Sequence, residues 1–346
     1  QLFFFKGDPK KILKKLIDCY KVKSIYWNRL YDKLSIKRDT EIKSIFNSKD
    51  IEIVSFKGSL INEPWTTKNK SGSFFKVFTP YWNKCLEDIK PIKLLKAPEK
   101  IKTIFVESSL SLPLEDLKLV SKNSKWTTLI SSYWIAGEKQ ALKNLNYFKN
   151  NIIENYEKGR DRPDKNYTSK LSPHLHFGEI SPEKIFLEIY KKKILSYQSK
   201  KKFLAEIGWR EFSYNLLFNY PHIRTNPIQE KFKNFPWKKN IKHLKAWQEG
   251  RTGFPIVDAG MRQLYQTGWM HNRVRMIVGS FLCKNLLIDW REGEKWFFDT
   301  LVDADLGSNS AGWQWIAGCG ADAAPYFRVF NPVTQGLRFD PNGEYV

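Results

Sequence analysis

From Glu138 onward the chain shows only one kind of periodicity. Apolar residues recur at helical spacing through 138–156, 182–195, 202–219, 241–250, 255–268, 271–281 and 291–302, which puts them on one face of each segment. No stretch there convincingly alternates apolar with polar residues, as a half-buried strand does. Stripes of this kind are buried by packing helix on helix. The C-terminal part is therefore expected to be all-α.

The start of the chain reads differently. Residues 2–5 read as a buried strand, and Gly7-Asp8-Pro9 as a turn that opens a helix. Asp8 is suited to the N-cap and Pro9 to the first helical position. Residues 23–27 read as a second strand, 38–46 as a helix and 51–56 as a third strand. This β-α-β-α-β order is the pattern of a parallel sheet, and about half of a doubly wound domain is present. From Pro80 to Gly137 the pattern breaks, with Pro80, Pro91, Pro98 and Pro113 marking a linker. The expected fold class is α/β plus all-α. A truncated parallel α/β (Rossmann-like) domain spans 1–80, a linker 81–137 and a helical domain 138–346. The chain opens inside a strand and ends without a stop signal for its last element, so a fragment lacking both ends is expected.

The composition supports a packed core, with 42% hydrophobic residues in a chain of 346. Thirteen tryptophans exceed what such a core needs, which points to ring-dependent work such as stacking or electron transfer. The net charge of +22 favours a polyanionic partner over lysines that merely face water. Between Lys191 and Lys245 the basic residues are interleaved with Trp209, Phe212, Tyr214, Phe218 and Tyr220, as suits a nucleic-acid face. The four cysteines are scattered, with no CxxC and no His partners at zinc spacing; they are expected to be reduced and structural. No apolar run approaches the ~18–20 residues of a membrane span, and Leu2–Phe5 is too short for a signal peptide core. A cytoplasmic monomer without membrane contact is expected.

Several segments carry candidate chemistry. Thr168-Ser169-Lys170-Leu171-Ser172-Pro173 places hydroxyls and N–H groups at a helix start; this is either an anion site or a plain cap. His174 and His176 have metal-pair spacing, but no third ligand is apparent, so no metal is expected. Glu206 and Arg210 share a helix face, as an ordinary ion pair would. Asp303 and Asp305 are close enough for a metal site or an acid/base pair.

Taken together, these segments resemble the DNA photolyase/cryptochrome family. The carriers are His271-Asn272-Arg273-Val274-Arg275-Met276, Asp303-Ala304-Asp305, Asn309, Gly312-Trp313-Gln314-Trp315, Trp237, the 168–172 loop, the run from Trp247 to Arg262, and Ala323 to Arg328. The resemblance is dense from about residue 153 and weaker in the first 90. It implies FAD, with the reduced form active. Tyr156, the loop Thr168, Ser169, Lys170, Leu171 and Ser172, and Phe203, Arg210, Asn272, Arg275, Asp303, Ala304, Asp305 and Asn309 would hold it. In this comparison Asp305 accepts from the flavin ring and Asn309 faces it.

The same resemblance implies DNA contacts at Arg160, Glu206, Trp209, Asn272, Arg273, Met276, Trp315 and Gln335. Trp237, Trp290 and Trp313 match an electron path to the flavin, and Glu206 and Asn272 match groups that stabilise the reduced lesion. Asn272 and Met276 stand where relatives that repair the (6-4) photoproduct place histidines. The resemblance is therefore to a class I cyclobutane pyrimidine dimer photolyase, a light-driven lyase. The antenna pigment, folate or deazaflavin, is unassigned, because the folate-contact pair of some relatives falls on Leu34-Ser35. A cryptochrome photoreceptor without repair activity is the second expectation. A flavin-free basic DNA-binding module is the third.

Overall fold

The computed structural model describes residues 2–47, 51–107, 109–120, 125–323, 325 and 328–346. Ala324, Tyr326 and Phe327 of the Ala323–Arg328 match lie outside the described residues. The chain forms two compact units, one of residues 1–56 and 93–129, the other of 57–92 and 130–346. This division is not sequential as expected. Residues 57–92 belong with the helices, and 93–129 return to the first unit.

In the first unit, helix α1 (Pro9–Tyr20) is capped by Asp8, whose carboxylate accepts from the Lys10 N–H at 2.8 Å. Strands β1 (Ser24–Asn28) and β2 (Glu52–Phe56) pair in parallel from Ser24↔Glu52 to Asn28↔Phe56, with α2 (Lys33–Asn47) between them in the chain. Ile42, Phe46 and Ile51 are buried against Leu13, Ile17, Ile25, Trp27 and Ile53. The strand expected at 2–5 does not form. Phe4 makes one antiparallel bridge, to Leu112, and a strand without a continuing partner has no ladder to hold it. Leu34 is exposed on α2.

The second unit is helical. It contains α3 (Phe78–Asp88), and α4 (Lys125–Tyr133) leads the chain into it. Beyond lie α5 (Glu138–Tyr147), α6 (Tyr156–Gly159), α7 (Ser172–His176) and α8 (Pro182–Lys191). The continuous helix expected over 138–156 is broken by a π turn at Phe148–Ile152 and a 3₁₀ turn at Ile153–Asn155. The wider turn shifts the register, so that Phe148, Ile152 and Ile153 are all buried.

Helix α9 (Tyr197–Asn219) is the axis of this unit, and α3, α6 and α8 pack against it. Its approach to α3 is close, since a Cβ at Gly208 would lie 2.5 Å from the Trp82 ring. The next residues fasten the chain at 61–62. Glu211 is fully buried and accepts the N–H groups of Ile61 and Asn62, each at 3.0 Å.

Six further helices follow among the described residues, α10 (Ile241–Gln248), α11 (Pro255–Thr267), α12 (Asn272–Ser280), α13 (Trp290–Thr300), α14 (Leu306–Ala317) and α15 (Pro332–Phe339). They enclose a core that includes Trp247, Met270, Trp290, Phe297 and Trp313. No helix among the described residues is long and apolar enough to cross a membrane.

Two predictions follow from α9. Ala is the better helix former by about 1 kcal/mol, yet Gly208→Ala should lower stability by about 1–3 kcal/mol through the clash with Trp82. A thermal melt equal to or above wild type would refute this. Burial pushes the Glu211 carboxyl up to about 7, against the pull of Asn62, Arg210 and Ile61. The folded state thus holds this proton more tightly than the unfolded chain does. Its contribution is greatest below the ordinary carboxyl range and is lost as pH rises through about 7. Glu211→Gln keeps the acceptor and removes the titration. It should match wild type near pH 5 and exceed it near pH 8 by on the order of 2 kcal/mol in denaturant titrations.

Candidate functional site

Two carboxylates organise the middle of the helical unit, in separate networks. Asp305 caps α14 by accepting the Ser308 N–H at 2.8 Å. Its other oxygen accepts the Tyr214 hydroxyl of α9 at 2.5 Å. Burial alone would raise this carboxyl, but His176, Arg210, Tyr214 and the Ser308 N–H together hold it well below the usual carboxylate range. Asp303 instead accepts from Arg275 of α12 at 2.9 and 3.1 Å and from the Ser172 hydroxyl at 2.6 Å. The two residues therefore form neither a metal pair nor an acid/base pair. Among the described residues no cluster of three His, Cys, Asp or Glu could hold a metal. The His174/His176 pair separates likewise. His174 is buried between Glu179 at 2.5 Å and Asn144 at 3.2 Å, whereas His176 lies 3.8 Å from Asp305.

The loop 168–172 joins this network through Ser172, while Thr168 and Ser169 are half-buried and Leu171 is buried. Arg210 donates to the Ser59 carbonyl at 2.5 Å and lies 4.8 Å from the Tyr214 ring centroid. Its Nη2 is buried without a partner among the described residues. A buried guanidinium nitrogen left open is a strong donor awaiting an acceptor. That open nitrogen fits the anionic part of a cofactor. Tyr156 and Phe203 meet edge to face at 5.4 Å, both against Phe148. Ala304 and Asn309 are half-buried, and the Asn309 amide donates to the Glu294 carbonyl at 2.9 Å. The expected FAD ligands fit an anionic, ring-bearing cofactor.

A second group gathers at the start of α12. The His271 Nδ1 accepts the Arg273 N–H at 3.2 Å, so this ring nitrogen is unprotonated. Burial, with Arg275, Arg160 and Arg273 nearby, pulls the imidazole down to about 4 against the opposing Asp161. Asn272 is exposed, with its amide 3.9 Å from the Met276 sulfur. Arg273 is held by Asp161 at 2.8 Å and lies over the Phe339 ring of α15. Glu206 bonds Arg160 rather than Arg210. The helical Glu206–Arg210 pair is thus replaced by a bond that ties α6 to α9. Trp209 stacks on Phe78 at 3.8 Å and 8°, which leaves only its opposite face for a base. Trp315 is half-buried on α14 and packs near Phe330, and Gln335 is half-buried on α15. These residues share one helical unit, and among the described residues no hydrogen bond or ion pair joins Trp315 or Gln335 to Glu206.

The three tryptophans of the expected electron path share one core. Trp290 and Trp313 are buried in it, and Trp237 packs against it from a half-buried position. Gly293 gives Trp313 its space, because a Cβ there would fall 2.1 Å from the ring. The Trp313 ring also meets Phe297 at 4.9 Å and Trp247 at 6.1 Å.

Tyr214 and Asp161 were not singled out as site residues from the sequence. Tyr214 is one turn beyond Arg210, and that spacing is the only local signal. The Asp161–Arg273 pair spans the unit and leaves no local signal.

Comparison with known proteins bears on this geometry. The profile described as the FAD binding domain of DNA photolyase matches residues 203–346, and that of DNA photolyase matches 1–101. A deoxyribodipyrimidine photo-lyase of Agrobacterium fabrum is 44% identical, over 100% of this chain and 72% of its own. Cryptochrome-1 of Arabidopsis thaliana is 39% identical, over 93% of this chain and 48% of its own. The crystal structure of a bacterial class III photolyase from Agrobacterium tumefaciens superposes with a TM-score of 0.89 at 44% identity, covering 98% of this chain and 70% of that one.

Proposed function

The chain belongs to the DNA photolyase/cryptochrome family, and from that premise we propose that it is a deoxyribodipyrimidine photo-lyase, repairing cyclobutane pyrimidine dimers in DNA with FAD and light. The observation that carries this reading is helix α12. Its first turn carries Asn272 and Met276 side by side, and Arg275 one position before Met276 binds Asp303 in the cofactor network. One rigid element thus serves lesion and cofactor together. Proton-transfer histidines do not stand at positions 272 and 276, which favours dimer splitting over (6-4) chemistry. The likeness to a class III photolyase favours that class over the class I expected from the motifs.

Lysines and arginines of the +22 chain bind the DNA backbone. The dimer is everted into the helical unit, which its poor stacking and pairing favour. The free face of Trp209 receives its rings, and Glu206, held by Arg160, and Asn272 hydrogen-bond it. Reduced FAD, when bound, supplies the photoexcited electron that opens the cyclobutane ring and is then returned. Arg210, with its open guanidinium nitrogen, would hold the cofactor's diphosphate, and Arg275, Asp305 and Asn309 would hold its ring. Trp313, Trp290 and Trp237 pass electrons inward when the cofactor is oxidised. The cryptochrome reading is supported by the 39% identity to a plant cryptochrome, and repair activity separates the two.

Purified protein loaded with FAD and reduced should restore dimer-containing oligonucleotide under blue light and not in the dark. Equal restoration in the dark, or none in the light, ends the repair reading. Trp313→Phe should slow photoreduction of oxidised flavin by at least ~10-fold, or ~1.4 kcal/mol of barrier, while sparing repair by chemically reduced protein. Loss of both would remove Trp313 from the electron path.

A further inference from the structure

Of the three tryptophans assigned to the electron path, Trp290 and Trp313 are buried, whereas Trp237 is half-buried at the edge of the core. Of these rings, an electron arriving from outside meets Trp237 first. The segment around it is fixed in place. Phe235 tilts against the Trp237 ring at 4.3 Å, and the Trp237 backbone N–H donates to the Phe235 carbonyl at 2.8 Å. The backbone N–H of Lys238 donates to the Leu287 carbonyl at 2.7 Å. Asn240 then caps α10 by accepting the His243 N–H at 2.9 Å.

The surroundings of Trp237 are basic. Lys231, Lys233, Lys238, Lys239, Lys242 and Lys245 flank it in the chain, and all are exposed. Glu230 is the only carboxylate in the sequence between 230 and 245. Among the described residues the first five lysines have no ion-pair partner, and Lys245 has Glu249 at 3.9 Å. Ile241, in the middle of the lysines, is 82% exposed. An apolar residue ringed by exposed charge is the make-up of a docking surface.

DNA is the obvious partner for a basic face, but the placement of this one points elsewhere. Asn272 opens α12, and the helical run continues past Ser280 as a π turn to Asn285. Lys238 is fastened to Leu287, beyond the far end of that run. At about 1.5 Å per residue the two ends lie roughly 20 Å apart. The face is thus remote from Asn272 and centred on the entrance of the electron path. Such a charge field speeds encounter with a partner of opposite sign, and electron-transfer encounters need only a small interface.

We propose that this face docks an acidic one-electron carrier protein that refills Trp237 during photoreduction. The inference rests on the electron path of the proposed function. Trp313 gives one electron to the photoexcited oxidised cofactor, the vacancy passes through Trp290 to Trp237, and the reduced carrier loses one electron to fill it. A proton that the Trp237 indole sheds to water returns with that electron.

The test uses the full chain loaded with oxidised FAD. Reduced plastocyanin, an acidic blue-copper protein, is the electron donor, and reduced cytochrome c, a basic carrier, is the control. A laser flash generates the tryptophan radical, and its decay is followed together with oxidation of the copper or haem. At low salt the second-order rate constant should be at least ~10-fold larger for plastocyanin, and the advantage should shrink by ~5-fold or more in about 0.5 M salt. The double variant Lys238→Glu, Lys242→Glu should slow plastocyanin by ~5-fold or more, with radical yield and flavin absorbance unchanged and affinity for dimer-containing DNA altered less than ~2-fold. Equal rates for the two carriers, an unchanged rate in the double variant, or a loss of DNA affinity as large as the loss of rate would overturn the proposal, the last by giving the face to DNA. A flash that yields no tryptophan radical defeats the electron path and this inference with it. A radical indifferent to the charge of the carrier defeats this inference alone.

Discussion

The carboxylate of Asp305 is the interaction on which the helical unit turns. A buried charge costs several kcal/mol unless it is fully bonded. Here the cost is offset by the Tyr214 hydroxyl, the Ser308 N–H and the nearby His176 and Arg210. These partners come from three helices. Tyr214 brings α9, Ser308 opens α14, and His176 closes α7. One anion thereby fixes the start of the helix that carries Asn309, Trp313 and Trp315, and ties that helix to the axis of the unit. The neighbouring Asp303 does the same for α12 and the 168–172 loop, through Arg275 and Ser172.

Two of the aromatic clusters bear on the site. Trp247 and Phe297 stack, Trp313 meets both at a steep angle, and Gly293 is what lets Trp313 enter. Trp209, Phe78 and Phe212 form a second set along α9. Rings chosen for packing geometry also suit charge transfer, because close contact serves both ends. Of the three tryptophans of the expected electron path, Trp237 lies at the margin of its core and keeps partial access to water.

Charge is distributed in a complementary way. The basic side chains close to the candidate lesion site are not loose. Arg160 is bound to Glu206 and Arg273 to Asp161, so their guanidinium planes are positioned before any DNA arrives. Positioned groups lose less freedom on binding. The imidazole of His271 is kept neutral by burial among these arginines, and it caps α12 as an acceptor.

Most of the helices after Glu138 and their order were legible in the sequence, because apolar spacing and Asx caps are properties of short segments. Asp8, Asp305 and Asn331 cap the helices they precede for that reason. Other features depended on distant residues. The segment 2–5 reads as a strand but lacks a ladder, and the helix from Glu138 breaks at Phe148 to bury three side chains. Glu206 chooses Arg160 over Arg210, Trp209 gives one face to Phe78, and Asp303 and Asp305 part into separate networks. The sequence by itself determined which segments could be helices and which side chains were available. Only the tertiary structure decided which of them are partners, because ion pairs and ring stacks depend on approach in space, and spacing along the chain does not encode it.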